Sequence, residues 1–102
     1  MDNKVKKNPK TQLLGKGKVL KNLRMIAEAN TIGPKHVSAE ESILVILKGK
    51  AVLKILNEEH SLNRGETIII PGGVEHILEI LEDTEAIHIM PLDNKIKLLP
   101  EQ

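Results

Sequence analysis

The sequence contains no cysteine and no aromatic residue. Without cysteine, this chain of 102 residues can form no disulfide, no thiolate metal site and no cysteine nucleophile. Without Phe, Tyr or Trp, it can neither stack a ring-shaped ligand on an aromatic face nor use a tyrosine as a catalytic acid. Its core must therefore be built from aliphatic side chains, chiefly Ile, Leu and Val.

Long apolar runs are also missing. No stretch approaches the roughly 20 apolar residues of a membrane span, and no run of signal-peptide length follows the basic start. We therefore expect a cytoplasmic protein that does not bind a membrane. The length suits one domain, because a chain of this size buries about 60–70% of its unfolded surface around one core.

The formal net charge of +1 hides an asymmetry. The first 24 residues hold eight of the fifteen Lys and Arg residues and one acid, whereas the remainder holds seven basic residues and thirteen acids. This predicts a basic N-terminal arm over residues 1–17, either solvated or lying on an acidic partner surface, and a folded domain over residues 18–102. Because the chain has no aromatic to stack a base and no arginine cluster, we expect no nucleic-acid partner.

Turn residues interrupt short apolar runs every eight to twelve positions, which is typical of a β-sandwich or barrel. Gly, Pro and Asn residues interrupt every segment that could otherwise form an amphipathic helix of useful length. The sequence therefore predicts a single all-β domain, with strands over residues 19–29, 43–47, 51–56, 67–70, 76–81, 85–90 and 95–99.

The most informative stretch is residues 65–76, GETIIIPGGVEH. Gly65 suits a tight turn into a strand, Pro71 ends that strand, and His76 opens the returning one. The spacing resembles the second cupin motif, G-x5-P-x-G-x2-H-x3-N, at every position except the last, which is Ile80. The resemblance covers roughly residues 19–91 and implies a cupin jelly-roll barrel, also called a double-stranded β-helix.

The first cupin motif, G-x5-H-x-H-x3-4-E-x6-G, is matched less well. Aligned on His36 and Gly49, it places Asn30 at the first glycine, Ser38 at the second histidine and Ser42 at the glutamate. Asparagine tolerates the positive φ of a turn, but serine is a poor ligand for a divalent metal. Of the four metal ligands that the resemblance implies, only His36 and His76 remain.

Another side chain could complete a metal site. If Glu85 faces solvent, strand alternation turns Ala86, His88 and Met90 inward. His36, His76 and His88 would then offer three imidazoles to a divalent ion such as Zn, Mn, Fe or Ni. Glu40 or Glu41 could instead join His36 and His76 in a site of two histidines and one carboxylate. The alternative is that these histidines are neutral, hydrogen-bonded core residues.

Three functions follow from these residues. The first is a barrel that binds a small molecule through His36, Ser38, Ser42, His76 and His88 in an aliphatic interior. The second, implied by the resemblance, is a metal-dependent dioxygenase, isomerase or decarboxylase that uses His36, His76 and a third ligand. The third is a homodimeric interaction module, since the runs 43–47 and 87–90 are apolar on both faces. A homodimer is expected in each case.

Overall fold

The computed structural model describes residues 4–99. Their backbone is all-β, as the turn spacing predicts, and within this range no helix could cross a membrane. Ten strands are present in the described range: β1 (Val5–Lys6), β2 (Lys10–Lys16), β3 (Leu20–Ala27), β4 (Thr31–Ile32), β5 (His36–Ser38), β6 (Ser42–Ile55), β7 (Glu58–Asn63), β8 (Thr67–Ile70), β9 (His76–Pro91) and β10 (Ile96–Leu98).

Two long antiparallel strands, β6 and β9, form the centre of the fold. Both change direction together, where the register of their pairing shifts between Ile46 and Ala51. Gly49 makes this bend possible: its φ is +94°, and a Cβ there would collide with the carbonyl oxygen of Asp83 and with Thr84. The chain therefore continues as a strand through positions that look like strand breaks in the sequence. The predicted strands 43–47 and 51–56 are the two halves of β6, and the predicted strands 76–81 and 85–90 are the two halves of β9.

The bend divides the sheet into two walls. The first wall has the strand order β2-β3-β9-β6-β8 and uses the C-terminal half of β9 and the N-terminal half of β6. The second wall has the order β1-β4-β9-β6-β7 and uses the other halves. Beside β4, β5 pairs with the start of β9, and β10 pairs with β5. This two-walled arrangement agrees with the predicted jelly roll.

The aliphatic core lies between the walls. Strand alternation sends Leu44 and Ile46 of the first wall against Leu53 and Ile55 of the second, and none of the four is more than 9% exposed. Removing this apolar surface from water supplies most of the driving force for folding. The core is closed by further small and aliphatic side chains, namely Met25, Ala27, Ala51, Leu62, Ile70, Leu78, Ile80 and Ala86.

The basic N-terminal segment also contributes strands. β2 pairs with β3 from Lys10 to Lys16, and β1 runs parallel to β4. The ammonium of Lys4 lies 2.7 Å from a carboxylate oxygen of Glu79, and both side chains are mostly buried. The cationic side chains of this segment therefore lie along the edges of the sheet.

Candidate functional site

A polar cluster lies at the end of the core where β5, β6 and β9 meet. The five side chains that the sequence predicts for the site lie on these three strands: His36 and Ser38 on β5, Ser42 on β6, and His76 and His88 on β9. Contacts join His36 to His76 and His88 to Ser42, whereas the Ser38 side chain makes no hydrogen bond within the described residues. Ser38, Ser42 and His76 are at most 3% exposed, whereas His36 and His88 are partly buried.

His36 and His76 are direct partners in the pairing of β5 with β9. Their rings meet edge to face, with centroids 4.1 Å apart and planes at 68°. Two protonated imidazoles this close would repel each other, so the contact disfavours a state in which both rings are charged. Burial lowers the pKa of His76, and the neighbouring His36 lowers it further, although a hydrogen bond to the backbone opposes the shift.

The tautomer of both rings follows from their hydrogen bonds. Nδ1 of His36 lies 3.0 Å from the carbonyl oxygen of Pro34, and Nδ1 of His76 lies 3.1 Å from that of Val74. A carbonyl oxygen can only accept, so each Nδ1 carries the proton and donates it. In the neutral rings Nε2 is then left with a lone pair, which gives the cluster two hydrogen-bond acceptors of the same kind.

His88 turns inward, as the alternation from Glu85 predicts. On the same side of β9, Ala86 and Met90 are almost completely buried. Nε2 of His88 lies 2.8 Å from Oγ of Ser42. Burial, together with the nearby His76 and His36, lowers the pKa of His88 to about 4. This imidazole is therefore neutral at physiological pH.

Ser38 is the polar side chain of the cluster that lacks a partner. Its Oγ is buried and makes no hydrogen bond within the described residues. The backbone around it is fixed, because the Gly73 N–H donates to the Ser38 carbonyl oxygen at 2.8 Å. Glycine is needed at position 72 as well, since a Cβ there would approach the carbonyl oxygen of Ala39 to 2.8 Å. The glycines of the motif thus hold the 71–75 turn against β5.

Asn94 is a structural contributor that the sequence reasoning missed. Its Oδ1 accepts a hydrogen bond from the backbone N–H of Glu40 at 2.9 Å, and its Nδ2 lies 3.7 Å from Sδ of Met90. It fastens the segment before β10 across the loop that joins β5 to β6. The signal available in the sequence was the Pro-Leu-Asp-Asn run at the end of β9, whose residue types are typical of a turn.

A surface cleft of about 200 Å³ reaches His76 from the outside. Lys35 and Glu75, whose charged groups are 3.9 Å apart, lie on its rim, and Lys54, Leu56 and Ile77 complete its lining. The buried ring of His76 therefore separates the polar cluster from this cleft.

Comparisons with known proteins agree with this architecture. The family model of the cupin domain, Cupin_2, matches residues 23–91. This chain is a cupin. The cupin is also 36% identical over 81 residues to convicilin from Pisum sativum, covering 72% of this chain but only 21% of convicilin.

Solved structures share the fold at low sequence identity. A cupin-2 domain protein from Shewanella frigidimarina superposes with a TM-score of 0.75 and 19% identity, covering 83% of this chain and 82% of that one. The DMSP lyase DddQ from Ruegeria pomeroyi superposes with a TM-score of 0.80 and 20% identity, covering 89% of this cupin and 51% of the lyase. At these identities the likeness concerns the fold alone.

The metal centre that the cupin family implies does not fit the side chains present. Within residues 4–99, no three His, Cys, Asp or Glu side chains are grouped so that they could hold a metal ion. His36 and His76 present their Nε2 lone pairs, but Ser38 and Ser42 stand where two further ligands would be, and Ser42 is engaged with His88. Glu40 and Glu41 are exposed. The geometry therefore describes a hydrogen-bonding cluster.

Proposed function

We propose that this cupin binds a small organic molecule, without a metal, through the cluster of His36, Ser38, Ser42, His76 and His88. The observation that carries the proposal is the shared tautomer: two backbone carbonyls hold the Nδ1 protons of His36 and His76, which leaves an Nε2 acceptor on each of two rings whose centroids are 4.1 Å apart. A buried polar atom without a partner costs free energy. The unpartnered Oγ of Ser38 is therefore better explained as a ligand contact than as packing.

The chemistry of the cluster selects the ligand class. Two imidazole lone pairs accept hydrogen bonds, and the Ser38 hydroxyl can donate one. The surrounding side chains, such as Leu44 and Met90, are buried and apolar. A small hydroxylated molecule, such as a polyol or a hydroxy acid with a short aliphatic part, satisfies these groups. An aromatic ligand would find no ring on which to stack, because the chain has none.

Native mass spectrometry of untagged protein, followed by analysis of whatever denaturation releases, tests this proposal. The wild type is expected to carry one small molecule, and His76→Ala is expected to lose it because alanine removes the Nε2 acceptor beside His36. His60→Ala is the matched control, since His60 lies on β7, away from the cluster. A ligand retained equally by all three proteins, or absent from the wild type, contradicts the proposal.

A titration with small polyols and hydroxy acids gives an independent measurement. Ligand binding at the cluster should shift the Nε2 resonances of His36 and His76 in 15N-labelled protein and leave that of His60 in place. If only His60 responds, binding is at the surface and the cluster is not the site.

The second candidate is a metal-dependent enzyme. One observation favours it: histidines that ligate metals commonly donate their other ring N–H to a backbone carbonyl, as His36 and His76 do. The DMSP lyase among the similar structures is an enzyme, and its likeness to this chain is in fold. Here His88 would have to leave Ser42 and become the third ligand. Metal analysis of protein purified without a nickel column decides the question: stoichiometric metal that is lost in His76→Ala supports this candidate.

A further inference from the structure

Two lysines face the interior at the end of the first wall that carries the polar cluster. Lys16 of β2 and Lys21 of β3 are direct partners across the hairpin, and Lys21 is in turn the partner of Met90 on β9. Directly paired residues of neighbouring antiparallel strands point to the same face of a sheet. Met90 is 2% exposed and lies on the core side. Both lysine side chains therefore leave the sheet on its core side.

Neither of these lysines has an acidic partner. Within the described range 4–99, no ion pair joins Lys16 or Lys21 to a carboxylate. The neighbouring sequence supplies no acid, since residues 3–27 contain neither Asp nor Glu. Like charges directly opposite each other on a sheet destabilise it. An anion bound between the two ammonium groups removes this repulsion.

The interior is open to solvent on the β2 side. Leu13, Leu23, His88 and Leu44 form one row of cross-strand partners on the core side of the first wall. Leu13 at the β2 end of this row is 53% exposed, whereas Leu44 on β6 is 2% exposed. Leu23 and His88, between them, are partly buried. The second wall therefore leaves the β2 edge uncovered, and solvent reaches the row that leads to His88.

The second wall has a matching edge, β10. Because β6 pairs along one side of β9, β3 and β5 must both pair along the other side, so β2 and β10 are the two wall edges on that side. Ile96 of β10 pairs with Ser38, yet it is 48% exposed whereas Ser38 is 1% exposed. An opening therefore lies between β2 and β10. We call it the side mouth, and the residues around it are Leu13, Lys16, Lys21, Leu23 and Ile96.

We propose that the ligand of the cluster is a hydroxy acid, which enters through the side mouth and leaves its carboxylate between Lys16 and Lys21. The inference rests on the proposed function and reduces its two ligand classes to one. The hydroxyl group of the ligand donates to Nε2 of His36 or His76, and its aliphatic part lies on Leu23. Hydrogen bonds between an ammonium and a carboxylate are stronger than those between neutral groups. A neutral polyol leaves both lysines without a partner.

The spacing of the strands permits this arrangement. Lys21 is one strand and two residues away from His88, which corresponds to about 8 Å between their Cα atoms at ordinary strand spacings. An extended lysine side chain covers most of that distance. A carboxylate held by Lys21 therefore lies close enough to the cluster for the rest of a small molecule to reach it.

A matched pair of ligands tests the proposal on the full chain. Leucic acid, the hydroxy acid with the side chain of leucine, is compared with the diol in which a hydroxymethyl group replaces its carboxylate. Isothermal titration calorimetry measures the two Kd values at neutral pH. The wild type is expected to bind leucic acid about tenfold or more tightly than the diol. Both ligands should shift the Nε2 resonances of His36 and His76 in 15N-labelled protein.

Removal of the two charges should abolish the preference. The double variant Lys16→Gln/Lys21→Gln is expected to bind the two ligands with Kd values within about twofold of each other, while its Kd for the diol stays near that of the wild type. The control is Lys10→Gln/Lys48→Gln, which removes the same charge from two exposed lysines near the bend and should keep the preference. Far-UV circular dichroism checks that both variants fold.

The outcomes separate this inference from the proposed function. If the wild type binds both ligands equally and both shift the resonances of His36 and His76, the cluster is a binding site but the hydroxy-acid inference is wrong. A preference that survives in the double variant, or is lost in the control, also overturns it. If neither ligand moves these resonances, the inference fails together with the ligand class of the proposed function. If leucic acid binds through the lysines and leaves the resonances in place, the lysines form a separate surface site for anions, and the inference is refuted.

Discussion

His88 and Ser42 are 46 positions apart in the chain, yet Nε2 of His88 lies 2.8 Å from Oγ of Ser42. In the aligned cupin motif, position 42 is that of a metal-binding glutamate. Here a short hydroxyl occupies it and pairs with an imidazole from the neighbouring strand. The two side chains satisfy each other, so the interior tolerates both polar groups without an ion.

The first prediction concerns acid stability. The folded-state pKa of His88, about 4, lies below its ordinary value of 6.5, so the unfolded chain takes up the proton first as pH falls. The free energy of unfolding should therefore decrease between about pH 6.5 and pH 4, by about 2–3 kcal/mol from His88. The pKa of His76 is also lowered and adds to the effect with the same sign. Urea denaturation at several pH values, with wild type and His88→Gln compared, measures it.

In that experiment His88→Gln should flatten the pH dependence, because glutamine does not titrate. His60→Gln should retain the dependence of the wild type, since His60 lies on the hairpin strand β7. Parallel curves for the wild type and His88→Gln would show that His88 is not responsible.

The second prediction contrasts two buried serines. Ser42→Ala removes the partner of His88 and should lower the free energy of unfolding by about 1–2 kcal/mol. Ser38→Ala removes a hydroxyl that has no partner in the described structure, so it should be neutral or stabilise the protein by up to about 1 kcal/mol. Urea denaturation of the ligand-free protein gives both values. Equal losses for the two variants would mean that Ser38 has an internal partner.

The third prediction contrasts two glycines with positive φ. Gly49 has φ +94° and no space for a Cβ, whereas Gly65 has φ +84° and open surroundings. Gly65→Ala should cost about 1 kcal/mol from the backbone alone. Gly49→Ala must also move the backbone at Asp83, where β6 and β9 bend together, and should cost more than about 3 kcal/mol. Thermal unfolding of the two variants compares them directly, and similar melting temperatures would show that the bend can relax.

The fourth prediction concerns the segment that follows β9. Asn94→Ala leaves the backbone N–H of Glu40 without its acceptor and should cost about 1–2 kcal/mol. Hydrogen exchange should accelerate at Glu40 and at Ala39, whose N–H donates to the carbonyl oxygen of Lys95. Asp93→Ala, at an exposed neighbouring position, is the control. If the exchange rates at Ala39 and Glu40 are unchanged in Asn94→Ala, the pairing of β10 with β5 is enough to hold this loop, and the Asn94 side chain is not needed.

Several local features could be predicted from the sequence because they depend on short-range chemistry. In residues 65–76 the spacing of Gly and Pro predicts where the turn lies and where the histidine begins the next strand. β8 spans residues 67–70, as predicted, and β9 begins at His76. Asn30, placed at a glycine position of the first motif, has φ 64° as expected. The inward orientation of His88 followed from strand alternation alone.

Other features could not be predicted because they depend on distant parts of the chain. Gly49 looks like a strand break, and only the register with β9 shows that it is a bend inside one strand. Asn94 looks like a turn residue, and its role depends on the loop at Glu40. The edge contact of His36 with His76 depends on a single pair of residues between β5 and β9.

The long strand β9 has a consequence for synthesis of the protein on the ribosome. Because β9 belongs to both walls, neither wall can close until the polypeptide has been translated through Pro91. Before that point, β6 can pair only with β7 and β8, and aliphatic side chains of these strands remain exposed. Until β9 has been made, the nascent domain is therefore prone to aggregation, and a stalled or truncated product that ends before β9 should be a substrate for chaperones and proteases.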